Sequence, residues 1–194
     1  MNYRLILASN SPRRKELLKG LDIDFEVRVI PDIDESHPEG IPPEKIPAFI
    51  AQKKADAYRA SIKEDELIIT ADTVVILDGD IIEKPADKNE AIQMIKRLSG
   101  RKHKVITSVV LTTSDRRKEF SVESAVDFAE LTNDEIEYYV DKYKPFDKAG
   151  AYGIQEWIGY IGVKGIEGSF YNVMGLPIQR LYQELKNLSV KNIE

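Results

Sequence analysis

The sequence predicts an α/β protein, a mixed sheet with flanking helices. Three observations carry this. Strand-type apolar runs at Tyr3–Ala8, Leu67–Leu77, Val105–Thr113 and Glu119–Phe128 are interleaved with amphipathic stretches. Those stretches open on capping signals: Ser11-Pro12, Asp87 with Glu90, and Thr132 with Glu135. The strands do not follow a strict βαβ rhythm, because Asp78-Gly79 is a hairpin signal and two long strands meet near Ser114-Asp115.

In order, Tyr3–Ala8 reads as a buried strand. Ser11 caps a helix, Pro12 suits its first position, Leu17, Leu18 and Leu21 form its buried side, and Gly20 stops it. Phe25–Ile30 alternates as a half-buried strand. Pro31 to Pro43 is an acidic, proline-rich loop, long enough to suggest either a binding loop or a mobile one. A helix follows over about residues 46–60, with Ile46, Phe49, Ile50 and Ala57 on one side. Ile81-Ile82 begins the return strand of the hairpin. The helix after Asp87 packs Ala91, Met94, Ile95 and Leu98 and ends at Gly100. The one after Thr132 runs to about Lys142. Lys144 to Gly175 is rich in glycine and aromatics and reads as short strand-like pieces. Pro177 opens a last helix carrying Ile178, Leu181, Leu185 and Leu188.

A chain of 194 residues that is 42% apolar can bury a sizeable core. It is expected to form one domain over 1–194, or two lobes around a cleft. The absence of cysteine excludes disulfides and thiolate chemistry and fits a reducing, cytoplasmic setting. No apolar run approaches the roughly 20 residues of a membrane span. A net charge of −5 argues against a general nucleic-acid binder. Local basic clusters are then aimed at something small and anionic.

Ser9 to Arg14 places a loop and helix start after a strand, where free N–H groups and the helix dipole favour an anion. Arg13 and Arg14 oppose that dipole unless an anion is bound there, and their planar forks suit phosphate oxygens. The alternative is a solvated first turn. Asp72 stands inside an apolar strand, where a carboxylate needs a partner; metal ligand and general base are both open to it, and so is a structural hydrogen bond or strand-end cap. Lys54, on the second helix, and Lys84, after the hairpin, are either phosphate contacts or solvated. The acidic stretch Asp32, Asp34 and Glu35 is of the oxygen-donor type that suits Mg²⁺ or Mn²⁺, or is simply a solvated loop. Gln155, after Ala151-Tyr152-Gly153-Ile154, can read a base edge or serve a turn. No Walker A or dinucleotide glycine motif is present. His37 and His103 lack metal or triad spacing and read as surface or structural residues.

Taken together, LILASNSPRRKELL, Ile33-Asp34-Glu35, AQKKADA, ITADTVV, EKP, the segment from His103 to Thr113, DKAGAYGIQ and GSFYNVMGLP resemble the Maf family of nucleotide pyrophosphatases over roughly residues 3 to 180. The family is named for an association with inhibited septum formation. The resemblance implies an elongated α/β fold with a central cleft, like that of the inosine-triphosphate pyrophosphatases, and often a dimer. It implies hydrolysis of a nucleoside triphosphate between the α and β phosphates with a divalent metal. Asp72 matches the proton acceptor. Arg13, Thr73 and Gln155 match positions of substrate choice and point to the dTTP and UTP branch rather than the 7-methyl-GTP branch. Ser9, Arg14, Glu35, Lys54 and Lys84 match the remaining polar positions, with Glu35 and Asp72 expected to hold Mg²⁺ or Mn²⁺. The chain departs from the pattern where Glu156-Trp157 follows Gln155, since many relatives carry glycine there, and at Phe170, where tyrosine is common. A nucleotide-binding regulator of cell division without turnover is the rival from outside the enzymes.

Overall fold

The computed structural model describes residues 3–188 and 190. Its elements are β1 (Arg4–Leu7), α1 (Pro12–Lys19), β2 (Phe25–Val27), α2 (Ile46–Tyr58), β3 (Glu66–Leu77), β4 (Asp80–Ile82), α3 (Lys88–Leu98), β5 (Lys102–Thr112), β6 (Arg117–Phe128), α4 (Asn133–Tyr143), α5 (Trp157–Gly162), β7 (Val163–Glu167), α6 (Phe170–Val173) and α7 (Ile178–Asn187). The strands form a seven-stranded sheet in the order β2-β1-β3-β5-β6-β7, with β4 paired to β3. β1 is parallel to both β2 and β3, whereas β4 on β3 and β7 on β6 are antiparallel. The mixed α/β expectation is therefore met. Contacts gather the chain into two units. One comprises Met1–Asp72, Thr107–Val122 and Gly175–Glu194, and the other Thr73–Ile106 and Glu123–Met174.

In the first unit, β1 and the start of β3 are buried strands whose registers pair Leu5 with Leu67 and Leu7 with Ile69. Ser11 caps α1 by accepting from Arg14 N–H. α2 lies close to the sheet because Ala51 and Ala55 are small; they pack on Val110, and Thr70 Oγ1 donates to the Ala51 carbonyl at 2.8 Å. The buried side of α2 thus runs through Ile46, Ile50, Ala51, Ala55 and Tyr58, while Ala57 is exposed. β2 is shorter than its alternation suggested. It pairs through three residues at the sheet edge, and Val27 and Val29 both reach solvent.

Glu66, fully buried at the start of β3, takes Arg28 at 2.8 Å, Arg4 at 3.2 Å and the Lys63 N–H at 3.1 Å. Arg28 above all holds its carboxyl down to about 2, against an ordinary 4.5. A carboxyl whose folded pKa is depressed adds stability above the unfolded value and loses it as pH falls through the folded one. Because Arg4 and Arg28 are partly solvated, the contribution is on the order of 2 kcal/mol. Glu66→Gln should therefore be less stable than wild type at pH 7. The gap should close between 4.5 and about 2, as read by urea unfolding across pH. A gap independent of pH would assign the loss to packing.

In the second unit, Asp78 and Gly79 both take positive φ, 54° and 89°, as the tight β3–β4 turn requires. Asp87 caps α3 by accepting from Glu90 N–H, and the Glu90 side chain reaches back to Ala86 N–H. α4 opens on the full Thr132/Glu135 capping box and packs against α3. Residues 144–175, expected as strand-like pieces, instead form α5 and α6 around the single strand β7. Ile158 and Gly162 of α5, four apart, share its buried side. His103 is buried, with Nε2 2.7 Å from Tyr152 Oη and edge contacts to Phe128 and Tyr152. Burial pushes its imidazole down to about 4, so it is neutral at pH 7. The structural reading of His103 holds, and His37 is exposed.

Candidate active site

The first wall of the site is the turn between β1 and α1. Ser9 is buried, and its Oγ accepts Ser11 N–H at 3.2 Å. Arg13 is half-buried in the first turn of α1. Arg14 does something that sequence reasoning did not anticipate. Its Nε donates to the Gly175 carbonyl at 2.8 Å and an Nη to the Ala71 carbonyl at 3.0 Å. It therefore clamps α1 to the strand one residue before Asp72. Burial lowers the guanidinium's pKa, and Asp72 is the largest charge opposing that change.

α2 and β3 meet at the acidic group. Lys54 Nζ lies 2.9 Å from Asp72 Oδ1 and 3.1 Å from Glu35 Oε1. The Thr70–Ala51 bond sets this approach, because it fixes α2 against β3 two residues before Asp72. The neighbouring Lys53 takes Asp34 at 2.6 Å and also donates to the Ser36 carbonyl. Lys53, followed by the Ser36 N–H and hydroxyl, holds the Asp34 carboxyl well below the usual range. Consecutive lysines of one helix thus fasten consecutive acids of the 31–43 loop, and only the Glu35 pair shares its lysine with Asp72. Asp32, the third acid of that stretch, is exposed and takes a positive φ of 55°.

The structure brings Arg14, Glu35, Lys54 and Asp72 together, with Ser9 and Arg13 on the same first unit. Thr73, Lys84 and Gln155 belong to the second unit. Thr73 follows Asp72 on β3 and is half-buried; Lys84 is exposed beyond β4. Gln155 sits in a turn closed by Glu156 N–H on the Gly153 carbonyl at 2.9 Å. Its Oε1 is buried without a hydrogen-bond partner among the described residues.

Among the described residues, no group of three or more His, Cys, Asp and Glu side chains is close enough to cage a metal. Glu35 and Asp72, sharing one ammonium, do provide two hard oxygen donors side by side. Mg²⁺ is commonly held by one or two carboxylates together with substrate phosphates. The residues therefore fit a cation that is completed by a phosphate ligand.

Fold and local chemistry define an α/β protein in which a helix start carrying Arg13 and Arg14 lies on the same unit as a lysine-bridged carboxylate pair. The Maf-like protein family model matches residues 4–188, so the chain belongs to the Maf family. It is 62% identical over 185 residues to a dTTP/UTP pyrophosphatase of Parabacteroides distasonis, covering 95% of this chain and 96% of that one. It is 54% identical over 192 residues to a protein of the same name from Porphyromonas gingivalis, covering 98% and 96%. A HAM1 protein structure from Coxiella burnetii matches with a TM-score of 0.50 at 15% identity, over 95% of this chain and 99% of that one. That likeness speaks for the fold alone, and it agrees with the mixed α/β reading.

Proposed function

We propose that this protein hydrolyses nucleoside triphosphates, dTTP and UTP foremost, to the monophosphate and pyrophosphate. The observation that carries the reading is Asp72 held by Lys54 at 2.9 Å beside the clamped start of α1. The names of the relatives at 54–62% identity support the substrate class.

Asp72 orients a water and accepts its proton as the water attacks the α-phosphorus. A carboxylate can take that proton and an ammonium cannot. Lys54 fixes the Asp72 carboxylate and presents positive charge to the phosphates. Arg13, Arg14 and Lys84 supply further cations, and Ser9 a hydroxyl donor. A divalent cation, Mg²⁺ or Mn²⁺, bound by Glu35 and Asp72 would neutralise charge building on the phosphoryl oxygens and the leaving pyrophosphate. Arg13, Thr73 and Gln155 select the nucleotide. The Oε1 of Gln155, without a hydrogen-bond partner among the described residues, is an acceptor of the kind that suits the N3–H of uracil or thymine. The protein acts in the cytoplasm, and no helix among the described residues is long and apolar enough to cross a membrane. Self-association as a homodimer is read out by light scattering.

A nucleotide panel with product identification tests the reading. Pyrophosphate and monophosphate are expected from dTTP and UTP ahead of 7-methyl-GTP. Preference for 7-methyl-GTP would replace the substrate, and binding without turnover would make the protein a regulator. EDTA is expected to abolish turnover, with Mg²⁺ or Mn²⁺ restoring it. Full activity in EDTA would remove the metal from the scheme.

A further inference from the structure

We propose that Glu156, Lys148 and Tyr139 are positioning residues that fix the Gly153–Glu156 turn, and through it the Gln155 amide that chooses the base. This rests on the reading of Gln155 as a base contact.

The three side chains form one largely buried chain of polar contacts, in which Lys148 and Tyr139 are buried and Glu156 is partly so. Lys148, only 9% exposed in its side chain, lies 3.2 Å from one Glu156 carboxylate oxygen. Tyr139 Oη donates to the other Glu156 oxygen. The same Oη, on a residue fully buried in α4, accepts Gly153 N–H at 2.9 Å. Glu156 N–H closes the turn on the Gly153 carbonyl at 2.9 Å, with Ile154 and Gln155 at its corner. The turn is therefore held at Gly153 through N–H and carbonyl alike, and both bonds lead to Glu156.

Two close approaches leave little room for another arrangement. A Cβ at Gly153 would meet the Glu156 carboxylate at 2.7 Å, and that carboxylate is tied at both ends. A Cβ at Gly159 would overlap the Ile154 carbonyl oxygen, so α5 runs directly against the turn. A burial-fixed tyrosine is a stiff support for a residue that must select by hydrogen-bond direction, because a misaligned donor–acceptor pair weakens steeply. Uracil offers a donor at N3 and cytosine does not, so a fixed Oε1 acceptor favours UTP over CTP. A loosened turn would let the amide rotate and lose that preference.

The test compares Tyr139→Phe and Glu156→Gln with Gln155→Ala, using two readouts. One is hydrogen exchange at the Gly153 amide; the other is the ratio of kcat/KM for UTP over CTP. In Tyr139→Phe, Gly153 exchange is expected to accelerate about tenfold, in line with loss of one hydrogen bond. The UTP-over-CTP ratio should fall about tenfold, mainly through a higher KM for UTP. Glu156→Gln should move both in the same direction by less, and it carries the test should Tyr139→Phe not fold. If exchange accelerates and the ratio stays while Gln155→Ala lowers it, the network is merely structural and the proposal fails. Unchanged Gly153 exchange overturns it directly. A ratio unmoved by Gln155→Ala places the fault in the base-contact reading, and the proposal falls with it.

Discussion

Asp72→Asn is expected to fold like the wild type and to lose ~10²–10⁴-fold in turnover, the usual cost of losing a general base. Asparagine keeps the size of aspartate, and its Oδ1 can still accept from Lys54 Nζ at the 2.9 Å contact. The clamp from Arg14 ends on the Ala71 carbonyl, a backbone group the substitution leaves in place. Only the capacity to take a proton and the negative charge are lost. The check is steady-state turnover of UTP beside a thermal melt. Near-normal turnover in a folded variant would reduce Asp72 to a structural partner of Lys54.

Lys54→Met should have the next largest effect, a fall of ~10²–10³-fold in kcat/KM, the scale of removing one preorganised donor to developing charge. Methionine retains the apolar stem on α2 but leaves Asp72 and Glu35 without the ammonium they share. The two carboxylates then meet the incoming phosphates with one cation fewer to offset their charge. Extra Mg²⁺ should recover part of the loss, because it supplies positive charge to the same oxygens. A loss confined to the melting temperature, with kcat/KM intact, would make Lys54 a strut between helix and strand.

The sequence was most legible where structure is decided locally. Ser11-Pro12, Asp78-Gly79 and Thr132 with Glu135 each encode a cap or turn within four residues, and each is found as read. Long-range partners were not legible. Glu66 preceded an apolar run without distinction, yet it is the buried acceptor for arginines 38 and 62 residues away. The alternation in Phe25–Ile30 marked a strand with Phe25, Val27 and Val29 inward, but only Phe25–Val27 pairs, at a sheet edge, and Val27 and Val29 are exposed there. The AGAYGIQEWIGYIG stretch carries apolar residues that suit strands. What the stretch does not reveal is its long-range packing: Ile158 and Gly162 form the buried side of α5, and Gly162 lies close against Leu131.

The same division runs through the candidate site. Residue types marked Arg14, Lys54 and Asp72 as chemistry-bearing, since charge beside a helix start or inside a strand needs a partner. Their partners were invisible: Arg14 on two carbonyls, Lys54 bridging two acids, Lys53 fastening Asp34. Glu156 was visible only as a departure from the family pattern. Its bonds to Lys148 and Tyr139 supply the physical reason a charged residue is tolerated there.

The central claim is that water, activated at Asp72, attacks the α-phosphorus. Hydrolysis of UTP in ¹⁸O-labelled water, followed by mass spectrometry of both products, tests it most directly. The label is predicted in the uridine monophosphate, with the pyrophosphate unlabelled. Label in the pyrophosphate, or release of labelled orthophosphate, would contradict it.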